Sequence, residues 1–305
     1  MYEAPPVVQA RVFARLPEAL RSPRKASDWI AVRRKGRAVH SFLEGPAFDR
    51  DGNLWLVDLA YSRILRLSPA GEFDVASDYD GEPNGIAIHR DGRIVIADHR
   101  RGLLALDARS GSISPLLERR HLESFKGLND LVFAANGDLY FTDQGETGLH
   151  DPTGRVFRFG AGGRLELLVG TAPSPNGIAL DPEESILYVA ATRGNAIWRL
   201  PIEADGSVSR AGIFIQLSGG LAGPDGLAVD EAGNLAVCVN GLGTVWLFSR
   251  LGEPILRVKA PEGLSTTNAA FGGPERRSLY ITECDTGTVL LAELPSPGVT
   301  LFSHR

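Results

Sequence analysis

Six polar residues with oxygen-bearing side chains recur at nearly even spacing along this chain of 305 residues. Each is the second residue of a short tag such as LEGP, PNGI or PDGL, and consecutive ones lie 40 to 49 residues apart. These six anchor residues are Glu44, Asn84, Asn129, Asn176, Asp225 and Asn268. Calcium takes roughly six to eight oxygen ligands in flexible geometry, whereas magnesium demands a tight octahedron and zinc prefers nitrogen or sulfur. If the tags converge in space, their carboxylates and amides predict a calcium site.

The repeat itself predicts that the tags converge in space. In four copies a glycine stands eight residues after the anchor, inside a turn between two apolar runs: Gly52, Gly92, Gly137 and Gly233. A period of this length, carried by strand-like runs, is typical of a β-propeller with one four-stranded blade per repeat. Six tags therefore predict an all-β, six-bladed propeller. Because each tag opens the strand that lines the central channel, the six anchors are expected to form a ring at one mouth.

The second predicted strand of several repeats ends in an acid. The four cases are Asp58, Asp98, Asp143 and Glu283. An acid at a strand end is most simply a turn residue that accepts backbone N–H hydrogen bonds. The third repeat alone inserts a longer loop between Asp143 and Arg155. Since long loops on a rigid scaffold collect binding residues, this loop predicts substrate contacts from Gln144, Glu146 and His150, with an ordinary polar loop as the alternative.

The repeats occupy nearly the whole chain and predict one propeller domain over residues 1–305. Residues 1–40 would hold a closing strand and a crossing segment, and 41–305 the six blades. A propeller closes its ring by completing the last blade with a strand from the other terminus. The candidate is Val7–Leu16, the competing candidate is Gly298–Ser303, and the segment Pro17–His40 is expected to be irregular.

Composition narrows the classes of partner. The net charge of −5 argues against nucleic acid as a main partner, although a basic segment over residues 11–37 is either a solvated face or a surface for an anionic partner. No apolar run reaches the length of a membrane span or a signal peptide, so no membrane contact and a cytoplasmic location are the default expectations. The two cysteines, Cys238 and Cys284, are expected to be buried free thiols.

Four tags in order resemble a known family. LEGP at Leu43, LNDL at Leu128 followed by LYFTD, PNGIAL at Pro175 and PDGLAVD at Pro224 are similar to the motifs of the SMP-30/gluconolactonase/luciferin-regenerating-enzyme-like family. The resemblance covers residues 40–294. It implies a six-bladed propeller with a divalent cation in the channel, held by Glu44, Asn176 and Asp225. Asn129 matches a position that contacts metal or substrate, and the diisopropylfluorophosphatase-type propellers use a similar set of acids and amides.

The resemblance also implies a reaction. We expect a metal-dependent hydrolase that opens a small lactone, a sugar lactone first, in carbohydrate metabolism. Calcium is the expected metal, with zinc, manganese or magnesium as alternatives. Asp225 would take the proton of the attacking water, Asn129 would hold substrate or complete the metal shell, and Asp130 would contact substrate or be a plain strand residue. The number of subunits is left open.

Two observations keep other functions open. Several family members carry an arginine two residues before the third anchor, where this chain has Gly127, so the resemblance does not extend to that substrate contact. The same ring could hydrolyse organophosphates or other esters, or the protein could be a non-catalytic propeller that binds a ligand or a protein. A propeller of the strictosidine-synthase type is disfavoured, because such a site does not need the oxygens of Glu44, Asn176 and Asp225.

Overall fold

The chain before the first tag forms small elements. The computed structural model describes residues 4–23, 27–35 and 37–305. These elements are strands β1 (Val7–Gln9) and β2 (Arg11–Arg15), a 3₁₀ turn (Glu18–Leu20) and the short helix α1 (Asp28–Arg33). None of the helices within these ranges is long and apolar enough to cross a membrane.

Each apolar run that follows a tag becomes a strand of an antiparallel sheet, and the first three sheets are blades 1 to 3. Blade 1 contains β3 (Leu43–Phe48), β4 (Leu54–Asp58), β5 (Arg63–Leu67) and β6 (Phe73–Asp78). Blade 2 contains β7 (Pro83–Ile88), β8 (Ile94–Asp98), β9 (Gly102–Leu106) and β10 (Ile113–Leu117). A two-stranded ribbon follows, β11 (Arg119–Arg120) and β12 (Glu123–Ser124). Blade 3 contains β13 (Leu128–Phe133), β14 (Leu139–Asp143), β15 (Gly154–Phe159) and β16 (Leu165–Ala172).

Blades 4 to 6 complete the ring. Blade 4 contains β17 (Pro175–Leu180), β18 (Ile186–Ala191), β19 (Ala196–Pro201) and β20 (Gly212–Gln216). Blade 5 contains β21 (Gly223–Val229), β22 (Leu235–Asn240), β23 (Thr244–Phe248) and β24 (Pro254–Lys259). Blade 6 contains β25 (Thr266–Gly272), β26 (Ser278–Glu283) and β27 (Thr288–Glu293). Further 3₁₀ turns lie at Leu59–Tyr61, Thr192–Gly194 and Phe302–His304. The predicted all-β, six-bladed architecture is confirmed.

The N-terminal segment closes the ring. Strand β2 pairs antiparallel with β27 and supplies the fourth strand of blade 6. Strand β1 instead pairs in parallel with β24 at the outer edge of blade 5. The N-terminal segment thus closes the ring as predicted, but the single strand expected over Val7–Leu16 is wrong, because the segment forms two strands that pair with different blades. The chain steps from one blade to the next at Ala10, whose small buried side chain packs among residues of both sheets, such as Val258 and Leu290.

The segment after the closing strand is less irregular than expected. Helix α1 lies within Pro17–His40 because it buries Ile30 in a cluster with Phe42, Leu59 and Tyr61. Arg24 and Lys25 of the basic segment lie outside the described residues. Several of its other arginines contact this chain, since Arg15 pairs with Glu262, Arg21 donates to the Thr286 carbonyl, Arg33 pairs with Glu146, and Arg34 lies over the Phe42 ring.

The C-terminal segment does not complete a blade. Residues 299–303 and Arg305 line the lower end of the channel, together with the ends of the inner strands of all six blades, around a cavity of about 140 Å³. Phe302 packs edge-on against His89, and Arg305 pairs with Glu184 at 3.1 Å. The competing closing candidate, Gly298–Ser303, is thus a cover over the lower mouth.

The acids at the ends of the second strands act as predicted. The Oδ1 atoms of Asp58 and Asp143 accept hydrogen bonds from the backbone N–H of Phe42 and Gly127, both at 2.8 Å. Asp98 accepts from the N–H groups of Arg100 and Arg101, and Glu283 from those of Asp285 and Thr286. These bonds fix the loops at the upper mouth. Cys238 and Cys284 are buried free thiols, also as predicted.

Truncation of Leu16 tests closure by the N-terminal segment. Leu16 is 1% exposed and packs against Leu43 of blade 1 and Val289 of blade 6. Leu16→Ala should lower the free energy of unfolding by about 2–5 kcal/mol, because a buried leucine is replaced by a cavity where the ring joins. Urea denaturation measures this loss. Leu251→Ala is the control, since Leu251 is 75% exposed. A loss for Leu16→Ala no larger than that of the control would contradict closure at this point.

Candidate active site

The six anchors lie at one mouth of the channel. Each stands near the start of an inner strand and is buried, with 4–7% of its surface exposed. A Cβ added to Gly45 would lie 2.6 Å from the Asn84 carbonyl oxygen, and one added to Gly177 would lie 2.3 Å from that of Asp225. Consecutive anchor strands therefore touch through their backbones around the axis, and the predicted ring is confirmed.

Threonine side chains set the spacing between neighbouring inner strands. Thr142 Oγ1 donates to the Asn176 carbonyl at 2.7 Å, and Thr267 Oγ1 donates to the Leu43 carbonyl at 2.8 Å. Thr192 makes the same kind of bond to the Pro224 carbonyl at 2.7 Å. Such bonds satisfy carbonyls that are removed from water. They hold three of the six blade boundaries at the level of the anchors.

Glu44, the first anchor, is a buried carboxyl group. Its Oε2 accepts a hydrogen bond from the Gly45 N–H at 2.9 Å, and the Asn268 amide also bonds to the side chain. Burial, followed by the negative charge of Asp225, raises the pKa of Glu44 well above its ordinary value. The charged form of Glu44 therefore needs a positive partner.

Asp225 is likewise a buried carboxyl group, and its negative charge acts on Glu44. Its Oδ2 accepts from Asn240 Nδ2 at 3.0 Å, and the Asn176 amide bonds to it as well. Burial is the largest cause that raises the pKa of Asp225 to about 7. At neutral pH this carboxyl group is close to half-protonated in the metal-free protein, which is the range in which a general base works best.

Asp130 lies directly beyond the third anchor, where four of the six tags have glycine and the sixth has Ala269. Its oxygens accept from the N–H groups of Leu131 at 2.9 Å and Ile178 at 3.4 Å, and burial raises its pKa to about 6. Its charge in turn raises the pKa values of Glu44 and Asp225. Asp130 also lines the lower cavity, so it lies between that cavity and the ring.

Asn129 is held by the first residue of the third-repeat loop. Its Nδ2 donates to Gln144 Oε1 at 3.0 Å, and Gln144 Nε2 donates to Ser174 Oγ at 2.9 Å. Because the amide nitrogen of Asn129 is committed to Gln144, its Oδ1 is the atom available to a metal or substrate. The structure thus brings the predicted residues Asn129 and Gln144 together.

The rest of this loop lies farther out. Glu146 is at the rim, where its carboxylate pairs with Arg33 at 2.7 Å. His150 is exposed beside Gly148, and exposed Asp151 accepts a hydrogen bond from Thr153. The structure gives neither His150 nor Asp151 a contact with the anchors. Substrate contacts from Glu146 and His150 stay predictions.

A second tier of residues above the anchors was not foreseen. Each follows the last residue of a second strand, or ends that strand, at the same place in the repeat: Leu59, His99, Gln144, Thr192, Asn240 and Cys284. Gln144 and Asn240 bond to the anchors Asn129 and Asp225, and Cys284 Sγ contacts the Leu43 carbonyl. The signal that would have identified this tier is its fixed position, 15 or 16 residues after each anchor.

The donor set suits a hard cation. In the part of the chain that the structure describes, no three histidine, cysteine, aspartate or glutamate side chains are grouped as metal ligands, so a metal would depend on the amide oxygens. Within the same ranges, no lysine, arginine or histidine forms an ion pair with Glu44, Asp130 or Asp225. Buried carboxylates whose charges act on one another are costly when none has an ion-pair partner, and a divalent cation would offset that cost.

Comparisons with known proteins match most of this chain to one family. The family model for the SMP-30/gluconolactonase/LRE-like region matches residues 42–285. A lactonase drp35 from Staphylococcus aureus is 30% identical over 248 residues, which is 77% of this chain and 74% of that protein. A lactonase drp35 from Staphylococcus epidermidis is 29% identical over 263 residues, covering 81% of this chain and 78% of that protein.

Solved structures share the fold. A gluconolactonase from Xanthomonas campestris superposes with a TM-score of 0.73 at 27% identity, covering 84% of this chain and 86% of that one. Regucalcin from Agrobacterium tumefaciens, described as a calcium-binding protein, gives a TM-score of 0.79 at 24% identity, with 99% of this chain and 100% of that one covered. With a family match over most of the propeller and lactonases among its relatives, the chain belongs to the SMP-30/gluconolactonase/LRE-like family.

Proposed function

We propose that this protein is a lactone hydrolase that depends on a divalent cation bound at the anchor ring. The observation that supports it most is the burial of Glu44, Asp130 and Asp225, whose charges act on one another, with no ion-pair partner among the described residues. The staphylococcal lactonases and the Xanthomonas gluconolactonase support the reaction class. The gluconolactonase also favours a sugar lactone as the substrate.

The proposed ligands are the side-chain oxygens of Glu44, Asn129, Asn176 and Asp225. Calcium is preferred because all four are hard oxygen donors and two of them are neutral amides, with zinc, manganese or magnesium as alternatives. When bound, the cation would polarise the lactone carbonyl and stabilise the negative charge that gathers on its oxygen.

The proposed reaction uses Asp225 as the general base. It would accept a proton from the water whose oxygen attacks the carbonyl carbon. The bond between that carbon and the ring oxygen would then break, and the proton on Asp225 would pass to the leaving oxygen to give a hydroxy acid. Asn240 orients the Asp225 carboxylate through its hydrogen bond to Oδ2. Gln144 orients the amide of Asn129, so that its oxygen points to the channel.

The direct test compares metal-stripped protein with protein reloaded with calcium, zinc, manganese or magnesium. Each form is incubated with a panel of aldonolactones, simple aliphatic lactones and organophosphate esters, and acid release is followed. We expect metal-dependent acid release from lactones. Turnover of organophosphates alone would favour the second hydrolase function, and binding of a lactone without turnover would favour a non-catalytic propeller.

Glu44→Gln tests the metal site. The substitution keeps the shape of the side chain but removes one of the two ligand charges, so calcium affinity measured by calorimetry should fall at least about tenfold. Glu231→Gln is the matched control, because Glu231 pairs with Arg276 at the surface, away from the ring. Unchanged affinity of Glu44→Gln for every divalent ion would remove Glu44 from the metal site.

The pH dependence of stability tests the buried carboxylates. Burial raises the folded-state pKa values of Glu44, Asp130 and Asp225 above those of the unfolded chain. Their contribution to stability is therefore present at low pH and is lost as the pH rises through the folded values, about 6 to about 7 for the two aspartates. The Tm of metal-stripped protein should be higher at pH 6 than at pH 8, and saturating calcium should reduce or reverse this difference. A metal-stripped Tm that rises with pH over this interval would refute the prediction.

Asp225→Asn tests the general base. The amide keeps an oxygen for the metal but cannot accept the proton, so kcat at saturating calcium should fall about a hundredfold to ten-thousandfold while calcium affinity falls much less. Asp107→Asn, in an exposed turn of blade 2, is the control and should keep full activity. Near wild-type kcat for Asp225→Asn would transfer the role of base to Glu44 or to the loop acids Glu146 and Asp151.

A further inference from the structure

Two buried nitrogen atoms at the upper mouth have no hydrogen-bond partner. They are Arg33 Nε and His99 Nδ1, two of the six such side-chain atoms within the described residues. A buried donor or acceptor without a partner costs free energy. Such groups in a native protein call for a ligand or a water. Both atoms lie above the blades 2 and 3, and nothing in the proposed reaction uses them.

His99 belongs to the tier above the anchors. It follows Asp98 at the end of β8, in the place that Gln144 occupies in blade 3 and Asn240 in blade 5. A Cβ added to Gly127 would lie 2.3 Å from the His99 ring, so the imidazole occupies the space that a side chain at position 127 would need. Gly127 stands two residues before the anchor Asn129. His99 is therefore adjacent to the strand that presents Asn129.

Arg33, on helix α1, also lies at the upper mouth. Its Nη2 pairs with Glu146 Oε1 at 2.7 Å, and Glu146 lies two residues after Gln144, which holds Asn129. The charges of Arg33 and Glu146 both act on His99, which places the three side chains close together. The Arg33 side chain is 26% exposed and that of Glu146 is 69% exposed. This ion pair is therefore partly in solvent and can rearrange at little cost.

Of the two unpartnered atoms, one is a hydrogen-bond donor and the other is an acceptor. Arg33 Nε carries a hydrogen and only donates. Burial and the Arg33 charge lower the pKa of His99, so its ring is neutral at pH 7, and the ring bonds to the Leu128 backbone. With Nδ1 unpartnered, the ring proton is on Nε2, and Nδ1 is an acceptor. One donor and one acceptor together match a hydroxyl group, whereas a carboxylate or phosphate would satisfy only Arg33.

We propose that Arg33 and His99 form a specificity subsite that binds a ring hydroxyl of the substrate. This subsite rests on the proposed lactone hydrolase function and narrows it to polyhydroxylated lactones. Blade 2, which carries His99, lies opposite blade 5, which carries Asp225, in the ring of inner strands. A substrate held at this side by a hydroxyl thus presents its far end toward the proposed base. Solvent does not reach Arg33 Nε in this form, so the Arg33 side chain must shift slightly to admit the hydroxyl.

The test uses two non-hydrolysable ligands, gluconolactam and unsubstituted δ-valerolactam, with calcium-loaded protein. The variants are Arg33→Met, His99→Phe and the double variant, with Arg164→Met as the control. Arg164 likewise pairs with a glutamate, Glu166, but at the lower face. Each single variant should raise the Kd for gluconolactam about ten- to a hundredfold and that for δ-valerolactam less than about twofold. The double variant should lose less than the product of the two single losses, since both residues act on one hydroxyl.

Several outcomes would overturn the subsite. Equal losses for both lactams would mean that the two residues only support the structure, and unchanged Kd values for gluconolactam would mean that they do not contact it. A wild-type protein that does not bind gluconolactam would also overturn the proposal. The hydrolysis of δ-gluconolactone and δ-valerolactone is measured in parallel. If wild-type protein releases acid from neither lactone, the proposed hydrolase function fails, while the lactam affinities still decide the subsite.

Discussion

The contact between consecutive inner strands around the axis is the constraint on which this molecule depends. The backbones approach so closely after each anchor that a Cβ at Gly45 or Gly177 would overlap the carbonyl oxygen of the next strand. Closing six sheets in a ring brings the anchors together and removes them from water. The same crowding explains why their carboxylates are desolvated and why threonine hydroxyls satisfy the nearby carbonyls.

The buried acids of the ring lower the stability of the fold. Glu44, Asp130 and Asp225 would be replaced by apolar residues if the ring served only to close the propeller, because neighbouring buried carboxylates repel one another. The anchor amides around them are neutral and add no further charge. The apolar blade cores, by contrast, follow ordinary packing, and the strand-end acids satisfy ordinary backbone donors.

Much of this could be predicted from sequence because it repeats. The tags fixed the number of blades and the positions of the anchors, and the recurrence of Asp58, Asp98, Asp143 and Glu283 indicated their role in turns. Features that occur once could not be found in this way. Helix α1 depends on the burial of Ile30 against residues of blade 1, and the contact of Arg33 with Glu146 joins segments that no local pattern relates. The split of the closing segment at Ala10 likewise depends on the distance between two sheets.

The C-terminal cover over the lower mouth makes the channel a well with one opening. Residues 299–303 and Arg305 line its floor, where Arg305 binds Glu184 of blade 4 and Arg50 of blade 1 binds the Ser303 carbonyl at 2.7 Å. A molecule that enters at the upper mouth must also leave there, past the same side chains. Because entry and exit use the same opening, a bound molecule must leave before another can enter. Residence time in such a well is set at its rim, which here is built from helix α1 and the third-repeat loop.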